Sequence, residues 1–199
     1  MNYGDDRPRE LRYNPFKAII APRPIGWIGT LDPGGQANLA PYSFFNGIGS
    51  DPDMVMFSSE GAKHSATYAR ERGEFTFSLA TEALAEQVNI SSGPEPSGVN
   101  EFELAGLEEG ASVVIQTPFV AASPAALECV TLDVRQLSDR HGALLERFLV
   151  IGEVVQTHIR DEYVKEGRFD TVGARPIARM GYADYATVTD AWQMGRPKR

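Results

Sequence analysis

The sequence is poor in the residues that form disulfides, metal centres and membrane spans. Cys129 is the single cysteine, so no disulfide can form within the chain. It lies in the apolar run AALECVTLDV, which favours a buried thiol over a reactive one. The histidines, His64, His141 and His158, are too far apart in sequence for two of them to bind a metal from one face of a helix. We therefore predict no metal site. No apolar run is long enough to span a bilayer or to form the core of a signal peptide, and we expect a soluble cytoplasmic protein.

Positive charge is also scarce, with 19 basic against 27 acidic side chains and a net charge of −8. This balance argues against nucleic-acid binding and against binding to anionic membranes, which both need a basic face. An anionic ligand must therefore be held by local donors, where basic and hydroxyl residues cluster.

Familiar catalytic patterns are missing as well. The chain has no GxxxxGK[ST] phosphate loop, no GxGxxG dinucleotide fingerprint and no GxSxG nucleophile elbow. Asp133, Asp139 and His141 are close in sequence, but their surroundings are typical of a strand end and a solvated turn. We therefore predict no catalytic acid, base or nucleophile.

Several strand-like segments dominate the 42% hydrophobic sequence. The DPGG turn at residues 32–35 predicts a hairpin between PRPIGWIGTL and QANLAPYSFF. Residues 62–72 resemble a short helix that stops at Gly73, residues 82–89 have helical spacing, and residues 90–101 are a Gly- and Pro-rich loop. Residues 172–185 are expected to be irregular. Further strands are predicted at DMVMFSS, EFTFSLA, ASVVIQTP, LECVTLDVRQL and RFLVIGEVVQTHI.

These strands follow one another without full-length helices between them, which disfavours a doubly wound parallel sheet. We predict a mainly β protein, an antiparallel barrel with short helices at its ends. Nothing in residues 1–199 resembles a linker, so we expect a single domain with a core over about residues 15–185.

The first candidate site is the predicted hairpin. Small residues at Gly26, Gly29 and Ala40 would leave backbone amides and carbonyls exposed to the edge of a flat heterocycle, and Trp27 could stack against its face. The alternative is a hairpin with small residues chosen for packing and a tryptophan in the core.

The second candidate site is the strand-to-helix junction FSSEGAKHSATYAR. Hydroxyl side chains, the cation of Lys63 and the free amides of a helix start are the components of a phosphate site. The alternative is ordinary helix capping, with Lys63 in solvent.

An ordered set of segments resembles the flavin reductase-like, FMN-binding split-barrel family. The set extends over most of the chain, and its order makes the resemblance specific. Its members are PRPIGWIGT, NLAPYSFFN, DPDMVMFSS, GEFTFSLA, GVNEF, LEC, GEVV and ARMGYADY.

The resemblance implies an FMN-binding split β-barrel of antiparallel Greek-key type and a homodimer with one FMN near the interface. It implies that the ring and ribityl chain lie against Trp27, Gly29 and Thr30. The ring edge would be held, largely by main chain, at Asn38, Leu39, Ala40, Pro41 and Ser43. The phosphate would be held by Ser58, Ser59, Lys63, Ser65 and Thr67. Arg179 is expected near the site or the dimer contact.

The chain departs from the family after the lysine, where relatives often have an acidic residue and then threonine. Here His64 and Ser65 follow Lys63. Ser65 can still donate a hydroxyl to a phosphate, whereas His64 replaces an acidic cap by a titratable donor.

The implied activity is NADH- or NADPH-dependent reduction of FMN, which needs position and electrostatics from the protein rather than a covalent residue. Reduced flavin would pass to a partner monooxygenase or another acceptor. One alternative is a non-enzymatic FMN-binding electron carrier or flavin store. Another is a split-barrel oxidase or a domain for a different planar cofactor, such as haem or pyridoxine phosphate.

Overall fold

Residues 1–197 are described by a computed structural model. Their helices are α1 (Phe16–Ile19), α2 (His64–Arg72), α3 (Ala85–Ile90), α4 (Glu101–Leu104) and α5 (Thr171–Ala174). Their strands are β1 (Arg23–Pro24), β2 (Gly26–Leu31), β3 (Ala37–Tyr42), β4 (Phe45–Ser50), β5 (Asp53–Glu60), β6 (Glu74–Leu79), β7 (Glu109–Gly110), β8 (Phe119–Val120), β9 (Ala125–Ser138), β10 (Leu144–Ile159), β11 (Val164–Lys165), β12 (Arg168–Phe169), β13 (Ile177–Arg179) and β14 (Tyr185–Thr187). None of these helices has the length and apolar character needed to cross a membrane.

Seven of the strands form one antiparallel sheet in the order β3-β2-β6-β9-β10-β5-β4. Its two edge strands, β3 and β4, are consecutive in the chain, so the sheet curls back towards itself. The main-chain amide of Ser58 on β5 donates at 2.8 Å to the carbonyl of Phe44, which lies in the connection between β3 and β4. The prediction of a mainly β protein with a large antiparallel sheet is confirmed, and the Greek-key connection stays a prediction.

The predicted hairpin is the pair β2–β3, with Trp27 opposite Pro41 and Gly29 opposite Leu39. Asp32 fixes the turn, because its Oδ1 accepts the amide of Gln36 at 2.8 Å. All six residues of β2 are buried, so the strand has a covered surface on both faces. One apolar cluster contains Trp27 and the other Ile28, the next residue along the strand.

Helix α2 ends as the sequence predicts. Gly73 adopts the left-handed conformation with φ 72°, and its amide donates to the carbonyl of Ala69. This conformation suits glycine because it lacks a β-carbon. Ala66 and Ala69 are fully buried within the second cluster, which packs α2 against the sheet.

The segment ASVVIQTP is a loop, so the prediction of a strand there is wrong. The amides of Val113, Val114 and Ile115 donate to the carboxylate of Glu128 at 2.7–2.9 Å. The amides of the next two residues donate to the carboxylate of Glu74. Side-chain carboxylates from β9 and β6 thus replace the neighbouring strand that β-favouring residues would otherwise need.

The region predicted to be irregular, residues 172–185, contains more regular structure than expected. Helix α5 begins after Asp170, which caps it by accepting the amide of Gly173 at 2.9 Å. Strand β13 then pairs with β1 and β14 in a separate three-stranded sheet. These strands are three residues or shorter, and such lengths give no alternating pattern that a sequence could show.

Candidate functional site

A cavity of about 360 Å³ lies between the start of α2, strand β3, the loop of residues 91–95 and the start of α4. Its volume falls within the range of small-molecule sites. Its lining combines hydroxyl, amide, cationic and carboxylate groups with apolar surface. The lining residues are Asn38, Ala40, Pro41, Tyr42, Ala62, Lys63, His64, Ser65, Ser91, Ser92, Gly93, Pro94, Glu95 and Glu101.

The start of α2 supplies the positive end of the cavity. Lys63 occupies the N-cap position, and its side chain makes no capping hydrogen bond to the amides of the first turn. Within residues 1–197 Lys63 has no ion-pair partner within 4 Å, and its side chain is exposed. Free first-turn amides together with a nearby cation form an anion-binding arrangement.

Asn38 links the hairpin to α2 at the floor of the cavity. Its Nδ2 donates to Thr30 Oγ1 at 3.0 Å and to Ser65 Oγ at 3.2 Å. All three side chains are buried, which restricts their rotation. This network fixes the hydroxyl of Ser65 close to the uncapped amides.

Tyr42 adds an aromatic ring and a buried hydroxyl. Burial raises the pKa of its phenol, hydrogen bonds to Ser65 and Ser59 lower it, and the charge of Glu101 raises it again. The net pKa is above the usual tyrosine value, so the phenol stays protonated at neutral pH.

Glu101 brings a carboxyl group into the opposite wall. It is 4% exposed, and its Oε2 accepts the amide of Leu39 at 2.9 Å. Burial raises the pKa of this carboxyl, and the bond from Leu39 partly offsets that effect. Helix α4 places the group, because Asn100 caps the helix by accepting the amide of Phe102.

The stretch of residues 91–98, of which residues 91–95 line the cavity, is held by three side-chain hydrogen bonds. Trp27 Nε1 donates to Ser91 Oγ at 2.9 Å, and the hydroxyls of Tyr68 and Ser97 are 3.1 Å apart. Further along, the side-chain amide of Gln36 donates to the carbonyl of Gly98 at 2.7 Å. The wall formed by residues 91–95 is therefore positioned before any ligand arrives.

Of the residues that the resemblance assigns to the flavin site, some line the cavity directly. These are Asn38, Ala40, Pro41, Lys63 and Ser65. They come from both candidate sites of the sequence, the hairpin and the strand-to-helix junction, and the fold joins those two sites in one cavity.

Four other predicted residues lie beneath the cavity instead of in its lining: Trp27, Gly29, Thr30 and Leu39, all buried. Trp27 is fully buried in the apolar core, and the amide of Leu39 is occupied by Glu101. A β-carbon on Gly29 would come within 2.4 Å of Thr76 Oγ1, so close packing explains this glycine. Thr30 acts indirectly, by orienting Asn38.

The remaining predicted residues stand beside or away from the cavity. Ser59 Oγ donates to the carbonyl of Gly61, and Thr67 Oγ1 donates to the carbonyl of Ala62, so both hydroxyls brace the start of α2. Ser43 and Ser58 are half-buried and not among the lining residues. Arg179 donates to the carbonyls of Tyr182 and Ala183, over the ring of Tyr185, and also lies outside the lining.

The sequence assigned no role to Tyr42, Glu101 or the loop of residues 91–95. The GVNEF segment, residues 98–102, belongs to the family resemblance and is the one sequence signal that points towards Glu101. Its partner Leu39 is 62 positions away, so no local spacing relates the two. Among residues 1–197 no group of three acidic, histidine or cysteine side chains converges as a metal site would.

Fold and cavity together define a class: an antiparallel β protein with a preformed small-molecule pocket that is positive at one end. Comparison with known sequences makes this specific, because residues 20–176 match the family described as flavin reductase like domain. The chain belongs to the flavin reductase-like, FMN-binding split-barrel family.

Similar proteins extend over nearly the whole chain. An uncharacterized protein of Deinococcus radiodurans is 34% identical over 95% of this chain and 86% of its own length. Nitrilotriacetate monooxygenase component B from Bacillus cereus superposes with a TM-score of 0.87 and 26% identity, over 98% of both chains. The 2-nitrobenzoate 2-nitroreductase of Pseudomonas fluorescens superposes with a TM-score of 0.82 and 26% identity, over 96% of this chain and 93% of its own.

Proposed function

We propose that the protein binds FMN in this cavity and reduces it with NADH or NADPH. The observation that carries the proposal is the start of α2, where Lys63 and uncapped amides meet the buried hydroxyl of Ser65 at one end of the cavity. This donor set fits a phosphate monoester, and the apolar and amide surface at Ala40, Pro41 and Asn38 fits a flat ring with a polar edge. FMN supplies the hydride-accepting chemistry.

The residues of the chain act by binding and orientation. Lys63 and the first-turn amides of α2 hold the phosphate, while Ser65, fixed by Asn38, adds a hydroxyl donor. The preformed loop of residues 91–95 limits water around the ring. No residue is assigned to covalent or acid–base chemistry, which agrees with the absence of a catalytic motif.

Reduced flavin, in this proposal, passes to a second protein. The support is the similarity to nitrilotriacetate monooxygenase component B, whose name states that it is one component of a monooxygenase. A partner monooxygenase, or another acceptor of electrons, is the corresponding partner here. We place this activity in the cytoplasm, in agreement with the unpaired, buried Cys129.

Stopped-flow spectroscopy of the FMN-loaded protein tests the proposal. Mixing with NADH or NADPH without oxygen should bleach the flavin absorbance, with a rate that rises with nucleotide concentration. Bound FMN that stays oxidised with both nucleotides would refute the reductase and favour the electron-carrier alternative. A purified protein that retains another cofactor, recognised from its visible spectrum, would refute the flavin site.

A homodimer is part of the same proposal, and an apolar patch supports it. Val113, Val114 and Val130 are 73%, 56% and 39% exposed. Val113 and Val114 lie beside β9, because their amides bond to Glu128, which shares a face of that strand with Val130. Light scattering of the wild-type protein should give twice the chain mass of 21.8 kDa. Val114→Asp places a charge in the patch and should lower the measured mass towards that of a single chain. A monomeric wild-type protein would contradict the dimer.

A further inference from the structure

Glu101 places a carboxylate at the point where a main-chain donor was expected to meet the ring edge. Strand β3 is an edge strand that pairs only with β2, so its outer side is free of strand partners. The amide of Leu39 donates to Glu101 Oε2 at 2.9 Å and is therefore unavailable to a ligand. The cavity therefore contains a negatively charged hydrogen-bond acceptor in place of a neutral donor.

This carboxylate is not held in a salt bridge within residues 1–197. Among residues 1–197, Glu101 forms no ion pair within 4 Å, although it is 4% exposed. A buried, unpaired carboxylate costs free energy, because low-dielectric surroundings disfavour the charged form. The hydrogen bonds that it accepts, from the amide of Leu39 and from its own amide, could equally be accepted by a neutral glutamine. The charge itself therefore calls for an explanation in the function of the cavity.

Other charged and titratable groups face Glu101 from the elements around it. His64 from the start of α2 favours its ionised form, and Glu95 from the covering loop disfavours it. Tyr42 from β3 and Lys63 from the N-cap position line the same cavity. The cavity therefore has positive charge at the end where α2 begins and negative charge at Glu101 and Glu95.

We propose that Glu101 makes the site hold reduced flavin less tightly than oxidised flavin and so promotes release of the reduced form. This rests on the proposed function. Hydride transfer from a dihydronicotinamide gives the ring two electrons and one proton, and the nicotinamide leaves oxidised. The ring thus gains one negative charge unless a second proton follows. A carboxylate in the same pocket disfavours that charge, whereas oxidised flavin has a neutral ring that it does not repel.

The test is the ratio of the dissociation constants of reduced and oxidised FMN, measured without oxygen at pH 8 after reduction with dithionite. Glu101→Gln keeps an oxygen for the amide of Leu39 but removes the charge. We expect the ratio to fall about tenfold, the effect of one like charge about 12 Å from the reduced ring at an effective dielectric constant of about 20. The midpoint potential of bound flavin should rise correspondingly by about 30 mV.

Lowering the pH provides a readout that a purely structural role would not change. As Glu101 becomes protonated, the wild-type ratio should converge on that of Glu101→Gln, and the two should separate again as the pH rises. Glu103→Gln, an exposed acid on α4 that lies outside the cavity lining, serves as the control and should change the ratio less than threefold. Equal ratios for wild type and Glu101→Gln at every pH would overturn the proposal.

The wild-type protein alone gives a second test if Glu101→Gln does not fold. At pH 8 it should bind oxidised FMN more tightly than reduced FMN, and the opposite order would overturn the proposal. Failure of the proposed function has a different signature, since the wild-type protein would then bind no FMN in either state or leave it oxidised with both nucleotides.

Discussion

Trp27 and Ser91 are joined by a hydrogen bond of 2.9 Å between the indole Nε1 and the serine Oγ. Trp27 is fully buried in the core under the cavity. Ser91 is the first residue of the loop that covers the cavity. Ser91 Oγ in turn donates to the carbonyl of Gln87 within α3. The tryptophan therefore supports the cavity from below, through its polar atom.

Replacing Ser91 by alanine should destabilise the protein. The change leaves the buried indole N–H of Trp27 without its acceptor, and a buried unpaired donor costs about 1–3 kcal/mol. Urea unfolding should show this loss in the free energy of unfolding. Ser92→Ala is the matched control, because Ser92 is exposed, and it should change stability by less than about 0.5 kcal/mol. Equal effects of the two substitutions would contradict the support role of Trp27.

Replacing Lys63 by alanine should weaken FMN binding by about 1.5–3 kcal/mol, the contribution of one charged hydrogen bond. Fluorescence titration of FMN measures this effect. Arg70→Ala removes a cation from the last turn of the same helix and should leave the dissociation constant unchanged. If Lys63→Ala also leaves it unchanged, the phosphate lies elsewhere.

Glu128 should stabilise the loop of residues 111–118 in a pH-dependent way. Burial raises the pKa of this carboxyl, but the bonds from Val113, His158, Ile115 and Val114 outweigh burial, and the pKa lies below the usual 4.5. The stabilisation is therefore complete above the unfolded-state pKa and is lost as the pH falls through the lower folded-state pKa.

Glu128→Gln should reduce the free energy of unfolding by at least about 1.5–3 kcal/mol at pH 7, the value of one charge-assisted hydrogen bond. The difference from wild type should shrink as the pH falls below 4.5. Hydrogen exchange at the amide of Val114 should accelerate. Glu103→Gln, at an exposed position on α4, is the control. A difference that is constant between pH 7 and pH 3 would argue against the charge as the cause.

Cys129 should be unreactive while the protein is folded. It is fully buried, and burial, followed by the charge of Glu128, raises the pKa of its thiol to about 12. A thiol reagent at pH 8 should modify it only after unfolding. Because the unfolded thiol ionises near its ordinary value of 9.0, wild type should lose stability relative to Cys129→Ala as the pH rises above that value. Rapid labelling of the native protein would contradict this.

Local sequence patterns predicted most of the strands and the helix that carries Lys63. The DPGG turn gave the β2–β3 hairpin, and Gly73 gave the end of α2, because both depend on the conformations of a few adjacent residues. The same reasoning failed for ASVVIQTP, where β-favouring side chains are present but the amides bond to Glu74 and Glu128.

By itself, the sequence determined the antiparallel β class, the family and the cluster of hydroxyl and cationic side chains at the start of α2, since each depends on adjacent residues or on the order of motifs. Only the tertiary structure decided which residues face the cavity. It placed Trp27 in the core and Glu101 in the wall, through bonds to Ser91 and Leu39 that span 64 and 62 positions. Contacts of this separation are set by how the sheet curls and where α4 docks, and no local periodicity encodes them.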